Sequence, residues 1–296
     1  NVDYPTGTAC RMPVLSCIVT CMNNTTLSFI GGGNMAGSLI GGLIADGWNP
    51  SSIRVSDTDT RQLERLSQRF PIMTTTDNNG AVEGADVVVL AVKPQVMESV
   101  TQALASSVSK QQPLVISIAA GIPEAALRHW LGEKVAIVRT MPNTPAMVQS
   151  AATAMYANPY VSDDQRNIAE SILRAVGIVI WVDSEPMMDA ATALSGSGPA
   201  YIFLFIEALQ TAGRELGFSE ETAYLLALQT AFGAAKMALE SEEDAAMLRQ
   251  RVTSPGGTTE RAINSLQEGG FKELVSKALH AAAERSRELA KEYGSN

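Results

Sequence analysis

Eleven residues near the start, Leu27-Ser-Phe-Ile-Gly-Gly-Gly-Asn-Met-Ala-Gly37, constrain the fold most. An apolar run, Leu27 to Ile30, breaks at a glycine cluster. Apolar residues then recur at helical spacing through Leu39, Ile40, Leu43 and Ile44. The pattern predicts a strand, a tight turn and a helix. Inside it lies G-x-G-x-x-A, formed by Gly31, Gly33 and Ala36. The first glycine permits the turn, and the second admits a pyrophosphate close to the backbone. Small Ala36 lets helix and strand pack closely. A pyrophosphate would rest on the helix N-terminus, whose free amides and dipole favour anions.

The rest of the first half alternates strand and helix. Strands are expected at 53–56, 72–75, 86–92, 114–119, 135–140, 152–156 and 178–182. Helices are expected at 61–70, 95–107 and 163–175, with a short one begun by Pro123 in its first turn. After Asp86 the run Val87 to Val92 is wholly apolar, as a parallel strand covered on both faces requires. This is the grammar of a doubly wound α/β domain. It stops near Glu185-Pro186. Helices are expected at 199–216, from Ser219 to 240, and at 244–252, 258–268 and 271–293. The predicted organisation is α/β: a Rossmann domain over 22–184 and an all-α dimerisation domain over 185–296. Ala200 to Leu209 carries one charge, Glu207, and is apolar nearly all round. Such a helix needs cover on every side. An intertwined homodimer fits that better than packing on the chain's own Rossmann domain.

Residues 1–21 stand apart. They hold all three cysteines, Cys10, Cys17 and Cys21. Met22 directly precedes the first strand, so it is the expected natural start, with 1–21 a non-native leader. The alternative is a targeting extension. Without later cysteines, disulfides, a Cys nucleophile and a zinc cluster are not expected in the body. His129 and His280 are too far apart in sequence to suggest a metal site. A net charge of −9 argues against nucleic acid or an anionic membrane as partner. Ser195-Gly-Ser-Gly-Pro199 interrupts the longest uncharged run, so no membrane-spanning helix is expected. The expected location is cytoplasmic.

Several loops could carry chemistry. In Ser254-Pro-Gly-Gly-Thr-Thr259, two glycines and two threonines at a helix start offer amides and hydroxyls to a carboxylate or phosphate. An ordinary capped loop is the other reading. Ser195-Gly-Ser-Gly-Pro199 is a flexible stretch suited to ligand contact or to close helix packing. Asn143 and Thr144 follow a strand end and either position a ligand or fix their loop. Lys93, also after a strand, is a cofactor contact or a solvated lysine. Asp57, at the end of the second strand, favours NAD, because an acidic residue there binds the ribose 2′-hydroxyl and repels a 2′-phosphate. Arg61 is a phosphate contact or a solvated helix residue. No Ser–His–Asp set, metal ligand set or general base is apparent. That suits hydride transfer, in which the cofactor carries the chemistry.

Taken together, Gly31-Gly-Gly-Asn-Met-Ala36, Ala91-Val-Lys-Pro94, Ser117-Ile-Ala-Ala-Gly121, Met141-Pro-Asn-Thr-Pro-Ala146, Ser195-Gly-Ser-Gly-Pro-Ala-Tyr201 and Val252-Thr-Ser-Pro-Gly-Gly-Thr-Thr259 resemble pyrroline-5-carboxylate reductase. The match runs in order and spacing from about Met22 to the end. The resemblance implies reduction of 1-pyrroline-5-carboxylate to L-proline, the last step of proline synthesis, with NADP or NAD as cofactor. It assigns Gly31, Gly33, Asn34, Met35 and Ala36 to the pyrophosphate, and Ser56 and Asp57 to the ribose side. Asn78, Ala91, Val92, Lys93, Pro94, Ile118, Ala119 and Ala120 would line the cofactor cleft. Ser254, Gly257, Thr258 and Thr259 would hold the substrate carboxylate and ring nitrogen, with Thr259 helping to protonate the ring. Glu185 would lie near substrate. The family's helical domain completes a site on its partner, implying a homodimer or a higher homo-oligomer. Many members carry a small hydroxyl residue where Asp57 falls, and use NADPH. The rival readings are a related imine or hydroxyacid dehydrogenase and a non-catalytic dinucleotide-binding protein.

Overall fold

The computed structural model describes residues 25–294. The expected leader over residues 1–21 and the expected start at Met22 lie outside them. The chain forms two compact units. One runs through Ala191 and takes back the chain end from Ser286; the other is Thr192–Arg285.

The first unit is built on an eight-stranded sheet: β1 (Leu27–Ile30), β2 (Ile53–Ser56), β3 (Met73–Thr75), β4 (Val87–Leu90), β5 (Leu114–Ser117), β6 (Ile137–Met141), β7 (Ala151–Ala157) and β8 (Gly177–Trp181). Their order is β3-β2-β1-β4-β5-β6-β7-β8. Every pairing is parallel except β6 with β7. All residues of β1, β4 and β5 are buried, the small Ser28 and Ser117 included, as strands covered on both faces require. One core cluster joins α1 (Asn34–Ala45), α2 (Thr60–Arg69) and the later helix Asp163–Arg174 to the sheet. A second cluster holds α3 (Asn78–Val82), α4 (Pro94–Gln111) and α5 (Glu124–Leu131). The sequence reading did not include α3, five residues capped by the Asp77 side chain. Pro123 caps α5 from outside rather than occupying its first turn.

Helix α6 (Asp163–Arg174) starts in a capping box between Ser162 and Gln165. It locks onto β8 through Glu170, which accepts from the Trp181 indole N–H at 2.7 Å and from Arg174 at 2.7 Å. The Arg166 guanidinium lies 3.9 Å above the Trp181 ring. The Trp181 bond first, then Arg174, holds the Glu170 carboxyl below its ordinary value. The folded state therefore favours the ionised form. That stabilisation is complete above the unfolded pKa and is lost as pH falls through the folded one. Glu170→Gln is expected to cost about 1 kcal/mol at pH 7 in urea titrations. The gap to the parent should close below about pH 4. A gap that stays constant down that range would contradict the assignment.

The second unit is all helix. A continuous helix spans 29 residues, Met187–Glu215. It consists of α7 (Met187–Ala191), a π-helical turn over Thr192–Gly196, and α8 (Gly198–Glu215). Two expectations are corrected here. The Ser195–Pro199 stretch is not a flexible break, because the widened π turn carries the chain through it and Pro199 sits in the first turn of α8, where no amide partner is needed. The resulting helix is also long and apolar enough to cross a membrane, by length and composition. Next come α9 (Glu220–Glu240), capped by the Ser219 hydroxyl, and α10 (Ala245–Arg251). Then follow α11 (Thr258–Glu268) and α12 (Phe271–Gly294). No residue of α8 is buried; Ile202, Phe203 and Leu204 are 56%, 65% and 65% exposed. A single chain leaves this apolar helix bare. The end of α12 belongs with the first unit: Ser286 donates to Asp189 at 2.6 Å, and Tyr293 accepts from Gln95 at 3.2 Å.

Candidate active site

In an open parallel sheet, ligands bind beyond the strand carboxyl ends where the strand order reverses. Here that point lies between β1 and β4. Each residue leaving a strand there donates to the last carbonyl of its neighbour. Asp57 donates to Thr75 at 3.2 Å, and Gly31 to Ser56 at 2.7 Å. Ala91 donates to Ile30 at 2.8 Å, and Ile118 to Leu90 at 3.2 Å. Four predicted cofactor residues from four strands are thus laid in a row along one rim.

Within that row the chain turns at Gly31, where φ is +106°. A Cβ there would lie 2.7 Å from the Ala91 carbonyl carbon and oxygen, so only glycine fits. Two residues on, a Cβ at Gly33 would meet nothing within 4 Å. Gly33 is the N-cap of α1, and no side chain caps that helix. The opening amides of α1, at Asn34 and Met35, are thus left without a side-chain cap beside that open position. The cradle fits a pyrophosphate. Ala36 is buried against the sheet, as close helix packing demands. Asn78 opens α3, while Lys93 caps α4 with Pro94 in its first turn. Val92 and Ala120 are half-buried; Ala119 is buried. A crevice of about 470 Å³ extends from Gly33 and Asn34 past Arg65 and Arg69 to Met147 and Gln149.

The end of β2 is more constrained than the sequence suggests. Ser56 is fully buried, its hydroxyl directed at the Phe29 carbonyl 3.5 Å away. Asp57 accepts from Gly32 N–H at 2.7 Å through one oxygen and from Asp59 N–H at 2.8 Å through the other. This acidic residue at the end of β2 thus also pins the glycine turn. Arg61 is exposed and forks onto Asp59, with both bonds at 3.0 Å. The Arg61 hydrogen bonds hold the Asp59 carboxyl below its usual value.

A buried charged network lies elsewhere in this unit. Arg139, 4% exposed on β6, donates to Glu185 at 2.8 Å. The same Glu185 oxygen accepts from the Glu124 backbone at the start of α5, at 2.6 Å. Glu124 in turn accepts from Asn158 at 2.8 Å. Burial, followed by the charges of Glu185 and Glu124, pushes the Tyr156 hydroxyl up. Asn143 fixes its loop by accepting from Ala152 N–H at 3.0 Å. Sequence reasoning missed Arg139, whose one signal was a charge inside the apolar strand 135–140. It also missed Arg65, Arg69 and the use of Asp57 on the turn.

In the helical unit, the 254–259 loop ends in a helix start. Gly256 takes φ +72°, and Gly257 is the N-cap of α11 with no side-chain cap. The Gly257 N–H donates to the carbonyl oxygen of exposed Ser254 at 3.0 Å. Thr258 and Thr259 are then the first two residues of the helix. Among the described residues, no three His, Cys, Asp or Glu side chains gather as metal ligands.

Residues 185–289 match the family described as pyrroline-5-carboxylate reductase dimerisation. Residues 26–121 match the coenzyme F420-dependent NADP oxidoreductase family. A pyrroline-5-carboxylate reductase of Pseudomonas aeruginosa is 53% identical, covering 92% of this chain and all of that protein. A solved structure of such a reductase from Coxiella burnetii is 50% identical, with TM-score 0.88 over 91% of this chain and all of that one. The Plasmodium falciparum pyrroline carboxylate reductase, solved with NADP bound, is 31% identical with TM-score 0.80, covering 91% of this chain and 99% of its own.

Proposed function

This chain belongs to the pyrroline-5-carboxylate reductase family, and from that premise we propose which of its residues perform the reduction of 1-pyrroline-5-carboxylate to L-proline. It is an NAD(P)H-dependent oxidoreductase that forms a homo-oligomer and acts on a small molecule. The observation that carries the residue-level proposal is the strand-end row. Gly31, Asp57, Ala91 and Ile118 are fixed side by side through backbone bonds.

On this proposal the amides of Gly33, Asn34 and Met35 hold the pyrophosphate, and Asp57 takes the ribose. Ala91 to Pro94, Ile118 to Ala120 and Asn78 border the cleft. The bound nicotinamide supplies the hydride. The chain itself orients the substrate. The Thr258 and Thr259 amides hold its carboxylate, with Ser254 and Gly257 shaping the loop. The Thr259 hydroxyl donates to the lone pair of the imine nitrogen, which polarises the C=N bond toward hydride attack and helps to protonate the nitrogen as the hydride arrives. Glu185, held by Arg139, is the acidic group on the substrate side. The assembly is a two-fold dimer in which a second copy, rather than lipid, covers α8. Neither nucleic acid nor membrane is a partner, and the location is cytoplasmic. The proposed functional domains are 22–184 and 185–296, while the compact units divide the chain after Ala191 and return Ser286 onward to the first. Oxidation of NADPH and NADH with pyrroline-5-carboxylate tests the whole proposal. Cofactor binding without turnover would instead support a sensing role.

Cofactor preference follows from Asp57. On this assignment its fixed carboxylate would repel a 2′-phosphate, and Arg61 is committed to Asp59. NADH is therefore the favoured reductant. Asp57→Ser is expected to raise the ratio of kcat/KM for NADPH over NADH about tenfold, the equivalent of one lost charge repulsion. An unaltered ratio would remove Asp57 from cofactor discrimination.

A further inference from the structure

The amides of the 254–259 loop are not all equally free. Gly257 N–H is taken by the Ser254 carbonyl at 3.0 Å. Gly256 N–H donates to Glu260 Oε2 at 2.7 Å. Glu260 is the acidic residue in the first turn of α11, its third helical position. In a capping box, a glutamate there reaches back to the N-cap amide. At α11 the N-cap amide, that of Gly257, is already occupied. Glu260 reaches one residue further and fastens Gly256, which holds a left-handed φ of +72°.

We infer that Glu260 is a positioning residue for the substrate carboxylate. It rests on the reading of this loop as the substrate site. A carboxylate at a helix start competes for the same amides that an incoming anion needs. Glu260 uses its hydrogen-bonding capacity on Gly256 instead, which leaves the Thr258 and Thr259 amides to the substrate. It also holds the glycine turn in the one conformation that aims those amides together. What the loop needs from this side chain is an acceptor oxygen at that reach; the negative charge is incidental.

The test is steady-state kinetics on the full chain with pyrroline-5-carboxylate, with melting temperature as a control. Glu260→Ala is expected to raise the substrate KM about tenfold. Its kcat, cofactor KM and melting temperature should change little. Glu260→Gln keeps an amide oxygen at the same reach and should restore KM to within about twofold of the parent. If Glu260→Ala does not fold, Glu260→Asp, one methylene too short, takes its place. A normal KM in the shortened or truncated variant would overturn the inference. So would a Gln variant as impaired as the Ala one, since charge rather than an acceptor would then be at work. A Thr259→Val enzyme run alongside separates the two levels. If Thr259→Val is fully active and Glu260→Ala also leaves the substrate KM normal, the loop is not the substrate site and the underlying reading fails. If Thr259→Val is impaired while Glu260→Ala is normal, only the role of Glu260 fails.

Discussion

Thr259→Val lowers turnover about 100-fold with the fold intact, the scale expected for one hydrogen-bond donor aimed at a transition state. Valine nearly matches threonine in shape, so the first turn of α11 should persist. Thr259 is the second residue of that helix and half-buried in the chain. Its main-chain amide survives the substitution, so carboxylate binding should hold. The loss should therefore fall on kcat more than on substrate KM. Circular dichroism and melting temperature should match the parent. Near-normal kcat would show that the hydroxyl takes no part in protonating the ring nitrogen. No other donor for that proton was evident from composition or spacing, so this experiment bears directly on the mechanism.

The second large effect is structural. Gly31→Ala places a Cβ against the Ala91 carbonyl and forces alanine to φ +106°. Left-handed strain and overpacking each cost about 1–3 kcal/mol. At about 2–4 °C per kcal/mol, the melting temperature should fall by roughly 10 °C. Gly33→Ala provides the contrast. Its φ of −69° suits any residue, and its Cβ meets nothing. The fold should be unaffected, yet the added methyl fills the cradle. Equilibrium titration with NADH should show affinity lowered at least about tenfold while the melting curve is unchanged. Equal effects of the two substitutions on stability would mean that the glycines share one role rather than dividing turn from cradle.

Much of this architecture could be read from the chain. Val87 to Leu90 and Leu114 to Ile116 announce buried parallel strands because nothing polar interrupts them. Asp163 to Arg174 announces its own start through Ser162 and Gln165. The failures have physical causes. The Ser195–Pro199 stretch has the composition of a loop, but a single wide turn lets helix pass through it. Helix Asn78–Val82 is too short for its apolar spacing to show. The Arg139–Glu185 bond joins residues 46 apart in sequence, and local pattern is blind to such pairs. The candidate site was legible as a set of motifs because glycines and threonines occur where backbone must be exposed. Which amides are already spoken for, at Gly32, Gly256 and Gly257, depends on folded side chains and carbonyls and could not be read locally.

The bond from Gly32 to Asp57 ties two properties together that evolution would otherwise tune separately. On the proposed assignment, the carboxylate that discriminates between the dinucleotides is also the one that fastens the glycine turn. An amide bonded to a charged acceptor contributes about 1.5–3 kcal/mol. A lineage drifting toward the phosphorylated dinucleotide by losing Asp57 would weaken its own phosphate loop in the same step. Such a change should persist only beside a second substitution that supplies a new acceptor for Gly32. If Asp57 sets the reductant as proposed, that choice is buffered against single mutations, and exchanging it is a two-step path through a less stable intermediate.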